Sequence, residues 1–150
     1  MRLTLWTDYA LRTLIYVGAK GGRLSTIGEI AASFGVSKTH LMKIVSKLGQ
    51  QGYLETVRGK GGGLRLARPP EEIGVGTLVR ETEEELAVIG CLAETGFCRI
   101  ERCCVLREAL REATLAFLRT LDAYTLADLL APGARLIDNL GLAAEMRPAD

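Results

Sequence analysis

Between Ser25 and Pro70 the chain changes its hydrophobic period once, and that switch limits the folds open to it. "STIGEIAASFG" has Thr26 three residues before Glu29, a capping-box spacing, and ends at Gly35. "VSKTHLMKIVSKLGQQG" follows at once, with Ser37 as the expected N-cap and Leu41, Ile44, Val45 and Leu48 as one inner face. Two short helices therefore meet across a tight Gly-Val-Ser turn. The period then drops to two. "YLETV" and "LRLAR" alternate on either side of "RGKGGG", which reads as a β-hairpin with a glycine-rich tip, and Pro69 and Pro70 close the unit. Upstream, "TDYALRTLIYVGAK" reads as a further helix with Leu11, Leu14, Ile15 and Gly18 inward, stopped by Gly21 and Gly22. Helix, helix, helix, hairpin is the order of a winged helix-turn-helix, expected over residues 1–70.

The remainder is expected to be helical. "VGTLVRETEE" reads as a short helix, and "VLREALREATLAFLRTLDAYTLADLLAPG" as a long one. Leu106, Leu110, Ala113, Phe117 and Leu121 make an apolar stripe, while Arg107, Glu108, Arg111 and Glu112 face away. At 1.5 Å per residue its first part runs roughly 25 Å. Such a stripe must be buried somewhere, and a second copy of the chain is the economical partner. The expected organisation is thus mainly α with a small β-hairpin wing. Residues 1–70 form the winged helix-turn-helix DNA-binding domain, 71–133 a cluster-binding loop and dimerisation helix, and 134–150 a flexible tail.

Charge separates the same two regions. Residues 1–70 hold eleven Lys and Arg against three carboxylates, a net of +8, and residues 71–150 hold eight Arg against fifteen carboxylates, a net of −7. A basic half joined to an acidic one suggests a polyanion-binding domain attached to something else. In the helix-turn-helix reading, the helix beginning after Ser37 enters the major groove. Lys38, Thr39 and His40 then lie at its entering end and Lys43 one turn later, suited to base edges and phosphates. Arg58 and Lys60 flank the hairpin tip, whose glycines allow close approach to a phosphate backbone or minor groove. The tip fits neither the sequence nor the strand–loop–helix setting of a nucleotide-phosphate loop. His40 is the sole histidine. It has no serine or cysteine partner nearby, and no catalytic motif accompanies it, so no enzyme is expected.

All four cysteines, Cys91, Cys98, Cys103 and Cys104, fall within "GCLAETGFCRIERCCVL". No run of roughly 18 apolar residues exists, and Asp8 and Arg12 interrupt the apolar start, so neither a membrane span nor a signal peptide is expected. A cytoplasmic chain keeps thiols reduced, which favours metal over disulfide, although a Cys91–Cys98 bridge is an alternative. Adjacent Cys103 and Cys104 diverge and seldom ligate together, leaving three usable thiolates. Zinc sites favour closer chelate pairs and four ligands. Wide spacing with three soft ligands suits an iron–sulfur cluster with a non-cysteine fourth ligand better than zinc or free thiols.

"WTDYALRTLIY", "GVSKTHLMKIVSKLGQQGYLETVRGKGGGLRLARP", the cysteine loop and "LDAYTLADLL" together resemble the winged-helix iron–sulfur regulator family, and within it the nitric-oxide-sensing repressors. The resemblance runs to about residue 130. It implies a homodimer that binds an inverted-repeat DNA operator, carries a [4Fe-4S] cluster (alternatively [2Fe-2S]) and releases DNA when nitric oxide reacts. It also implies Cys91, Cys98 and Cys104 as cluster ligands, Cys103 being extra because the family's second and third ligands lie six apart. Members that use a histidine after the third cysteine differ, since Arg107 stands in that region. The aspartate of "TDY", Asp8, is by the same resemblance a ligand given to the partner subunit's cluster. Without the resemblance Asp8 reads as a helix-start charge, with Thr7 as the cap. An iron- or redox-responsive regulator of the same family is the second functional reading, and a small iron–sulfur electron carrier a remote third.

Overall fold

The computed structural model describes residues 2–88, 99–100 and 103–143. Helices α1 (Leu5–Ala19), α2 (Ile27–Phe34) and α3 (Lys38–Gln50) lead into strands β1 (Leu54–Val57) and β2 (Gly63–Leu66). A single 3-10 turn (Pro70–Glu72) then precedes α4 (Val75–Thr82), α5 (Val105–Asp122), α6 (Leu126–Leu130) and α7 (Ala134–Asn139).

The helix-turn-helix forms as its sequence dictates. Thr26 and Glu29 make both bonds of the capping box at α2, and Gly35 ends it in the left-handed region at φ 63°. Ser37 is the N-cap of α3, but its side chain makes no capping bond. Leu41, Ile44, Val45 and Leu48 are all buried, as their spacing requires. β1 and β2 pair antiparallel from Leu54 opposite Leu66 to Val57 opposite Gly63. Ser25 bridges antiparallel to Leu64 on β2, which ties the start of α2 to the hairpin.

Helix α1 is surrounded. It packs on α3, α6, β2 and α4. Its buried residues are Thr7, Ala10, Thr13, Leu14, Tyr16 and Val17, a broader face than the expected Leu11, Leu14, Ile15 and Gly18. A helix enclosed on several sides needs apolar or small residues around most of its girth, so one stripe underestimates it. The cap is Thr4, whose Oγ1 accepts the Thr7 N–H, not Thr7 as expected. Thr7 is instead fully buried one turn later and points across to α4.

Two further expectations are corrected. The long C-terminal helix breaks after Asp122, because Thr125 and Asp128 form a second capping box that starts α6. The break lets Gly74 and Thr125 bridge and Leu126 donate its N–H to the Ile73 carbonyl. The flexible tail does not begin at 134. Residues 134–139 form α7, Leu142 is buried, and the Ser33 hydroxyl donates to the Leu140 carbonyl at 3.1 Å. Ile137, Leu140 and Leu142 offer this segment an apolar side that the core accepts.

Candidate nucleic-acid interface and cluster ligands

The elements that seat α3 decide which of its side chains are free. Its inner face is held by α1, α2 and β1. Its carboxyl end is fixed by Arg68, which donates to the Gln51 carbonyl at 2.9 Å and the Gly52 carbonyl at 3.0 Å, as suits a helix terminus rich in unpaired carbonyls. The Arg68 guanidinium also lies 4.4 Å from the centroid of the Tyr53 ring. Burial pushes the Tyr53 hydroxyl up to about 12, and its 2.7 Å bond to Glu81 adds to the effect.

With the helix so held, Ser37, Lys38, Thr39, His40 and Lys43 are all exposed on one end of it, together with Met42 and Ser46. Lys38 reaches back along α2, its Nζ 3.6 Å from where a Cβ on Gly28 would stand. Lys47 lies over the Trp6 ring at 5.3 Å. His40 and Lys43 border a shallow, mostly apolar pocket of about 230 Å³ with Leu5, Trp6, Tyr9 and Ile44. That setting gives His40 no second ligand for a metal.

At the hairpin tip Arg58 and Lys60 are exposed and have no hydrogen-bond or ion-pair partner among the described residues. Arg65 differs. It faces Glu55 across the strands and bonds it through two nitrogens at 2.9 and 3.0 Å, so its charge is spent locally. The glycines are required by the fold itself. A Cβ on Gly62 would collide with the Val57 carbonyl, and one on Gly63 would stand 2.7 Å from the Ser25 carbonyl. Close approach here is thus between the wing and its own backbone.

Asp8 stands in the first turn of α1 with its side chain 38% exposed, and its Oδ1 accepts from Arg12 Nε at 2.8 Å. Cys104 is the N-cap of α5, and its Sγ accepts the Arg107 N–H at 3.4 Å. Cys103 is exposed, and its thiol donates to the Ile100 carbonyl at 3.5 Å. The two neighbours diverge in environment as well as in direction. Cys91 and Cys98 lie outside the described residues. Among the described residues no three His, Cys, Asp or Glu side chains gather as metal ligands would.

Glu83, which sequence reasoning missed, joins these regions. Its carboxylate accepts from the Thr4 N–H at 2.7 Å, from Thr4 Oγ1 at 3.0 Å, and from Thr7 Oγ1. The same Thr7 hydroxyl lies 2.8 Å from Thr82 Oγ1, so the two acceptors share its one proton. Burial raises the Glu83 carboxyl, but the bonds from Thr7 and Thr4 outweigh it and hold the group below its usual range. The carboxylate at the end of α4 therefore completes the cap of α1, just before the segment that carries the cysteines. Its partner lies 79 residues away in sequence, so no local pattern could have revealed it.

The arrangement has known counterparts. The sequence profile of the Rrf2 family, described as iron-dependent transcriptional regulator, matches residues 3–132. The HTH-type transcriptional regulator NsrR of Geobacillus kaustophilus (strain HTA426) is 54% identical over 138 residues, 91% of this chain and 94% of that one. NsrR of Bacillus subtilis (strain 168) is 48% identical over 132 residues, 87% of this chain and 90% of its own. Among solved structures, CymR (YrzC), the global cysteine regulator of B. subtilis, superposes with a TM-score of 0.63 at 26% identity, covering 87% of this chain and 97% of that one. These relatives are transcriptional regulators, not enzymes, and their winged-helix form is the fold found here. No helix among the described residues is long and apolar enough to cross a membrane. A match over nearly the whole length and identities near one half leave one assignment: the chain belongs to the Rrf2 family of transcriptional regulators.

Proposed function

We propose that this regulator is a homodimeric repressor that holds a [4Fe-4S] cluster and leaves its DNA operator when nitric oxide reacts there. The donor set fits such a group: soft thiolates from one short segment and one labile oxygen ligand. Cys91, Cys98 and Cys104 would hold it, with Asp8 given by the partner subunit. When bound, the cluster supplies iron whose non-thiolate position is open to a small diatomic molecule.

The observation that carries the reading is the placement of the two describable ligands. Cys104 caps α5, its Sγ accepting the Arg107 backbone N–H at the helix start. Cys103 instead turns its thiol to the Ile100 carbonyl. Asp8 stands on α1, which packs directly against the DNA-reading α3. Release of Asp8 frees it to its Arg12 pair, and α1 with α3 loses a tie to the other subunit. Helix α5 supplies the dimer contact, with Val105 83% and Leu106 63% exposed on it. Ser37, Lys38, Thr39, His40 and Lys43 enter the major groove, and Arg58 and Lys60 hold phosphates beside it.

The test is a binding titration of anaerobically purified protein against selected and scrambled DNA across salt, before and after nitric oxide. Loss of preference after nitric oxide, with Cys104→Ala lacking the cluster absorption and Cys103→Ala keeping it, is the expected result. An affinity that ignores nitric oxide but falls on iron chelation would instead support an iron-responsive regulator, the reading to which the family's description points.

A further inference from the structure

We infer that Met42 reads a thymine methyl group in each operator half-site, making it a specificity-determining residue of the DNA interface. The inference rests on the proposed groove entry of α3 and deepens it. Leucine, isoleucine and valine on α3 are turned inward and buried, whereas Met42 is 59% exposed. From Trp6 through Val88 it is the one large apolar side chain that stands exposed among the described residues. Of its helical neighbours at three and four residues, Val45 is buried, while Thr39, Lys38 and Ser46 are exposed with it, so it belongs to the surface that would face DNA.

A single exposed methionine elsewhere would need no explanation. Here its surroundings are polar and basic, and they select what it can recognise. The major-groove edges of the bases offer donors, acceptors and one apolar group, the C5-methyl of thymine. Lysine and threonine can answer the polar features, and Thr39 has a methyl of its own, but Met42 is the one large apolar side chain this face offers to the thymine methyl. An unbranched thioether side chain has the freedom to settle against it. No polar partner holds Met42 in place, so the contact is made by apolar burial alone.

The test uses the full-length, anaerobically purified protein and a duplex selected by it from a random library. Each thymine of that duplex is replaced in turn by uracil, which differs only in lacking the methyl. Wild type should lose about three- to fivefold in affinity at one symmetry-related position per half-site, the worth of one buried methyl. Met42→Ala should bind the parent duplex more weakly and be indifferent to uracil at that position. Met42→Leu should keep the discrimination. Uracil tolerated everywhere, or a Met42→Ala protein as sensitive as wild type, overturns the inference while leaving DNA reading by α3 intact. Failure of the library to yield any preferred duplex would instead defeat the repressor reading itself.

Discussion

Helices α1 and α5 are the two longest among the described residues, at 15 and 18 residues, and they meet opposite fates. α1 buries six side chains and packs on α2, α3, α4, α6 and β2. α5 buries one, Leu118, and leaves Val105, Leu106 and Leu115 exposed. Yet α5 has the cleaner apolar stripe. The difference teaches that amphipathic patterning reports a demand for burial and says nothing of who meets it. For α1 the demand is met by the chain itself. For α5 the proposed answer is a second copy.

The contrast can be broken from either side. The largest effect is expected inside α1: Leu14→Ala, at a fully buried position, should cost about 2–5 kcal/mol in denaturant unfolding. Leu106→Arg should leave the fold of each subunit intact, with an unchanged far-ultraviolet circular dichroism spectrum, and weaken self-association. In a two-fold interface the substitution enters twice, so a loss of roughly a hundredfold by sedimentation equilibrium is expected. If the Leu106→Arg protein unfolds instead, α5 is a core helix of the single chain and the comparison collapses.

A smaller effect sharpens the boundary between the two regions. Glu83→Ala removes the acceptor that completes the α1 cap and should cost about 1–2 kcal/mol. The depressed Glu83 carboxyl also fixes a sign. Its stabilising contribution is present above its unperturbed value of 4.5 and is lost as pH falls through the lower folded value. Glu83→Gln should therefore flatten the acid limb of a stability-versus-pH curve. A limb unchanged from wild type would count against this role. The smallest effect is expected at the exposed Arg80–Asp122 pair, which joins α4 to α5 at 2.5 and 2.7 Å with both side chains 41% exposed. Arg80→Ala should lower the denaturation midpoint only slightly, and the difference from wild type should vanish in high salt.

How much was legible in sequence follows from the range of the forces involved. The helix-turn-helix was readable because its signals are local: the Thr26–Glu29 box, Gly35, and the inner face from Leu41 to Leu48 all lie within a turn or two of what they specify. The break after Asp122 was missed although Thr125 and Asp128 carry a local signal, because the apolar stripe continues through it. The docking of residues 134–142 was missed because short apolar spacing near a terminus looks the same whether or not a groove awaits it. Ser37, Lys38, Thr39, His40 and Lys43 are exposed at α3, and Met42 beside them was passed over, although the inward set from Leu41 to Leu48 already leaves it off the buried face. Lys38 is exposed at the start of α3, with its Nζ 3.6 Å from where a Cβ on Gly28 of α2 would stand.

Gly76 is buried where α4 meets α5, and a Cβ there would run into the Asp122 carboxylate. A Cβ at 76 would also stand 2.9 Å from the Asp122 backbone nitrogen, so α5 lies closer to α4 than any side chain at 76 would allow. In the history of such proteins, position 76 and position 122 are then not free to drift alone. A lineage that gained even a methyl at 76 would have had to shorten residue 122 or swing α5 away. That swing would change the distance between two reading helices in a dimer, and hence the operator spacing it fits. Related sequences should accordingly carry paired changes at these two places, with altered half-site spacing wherever glycine has been lost.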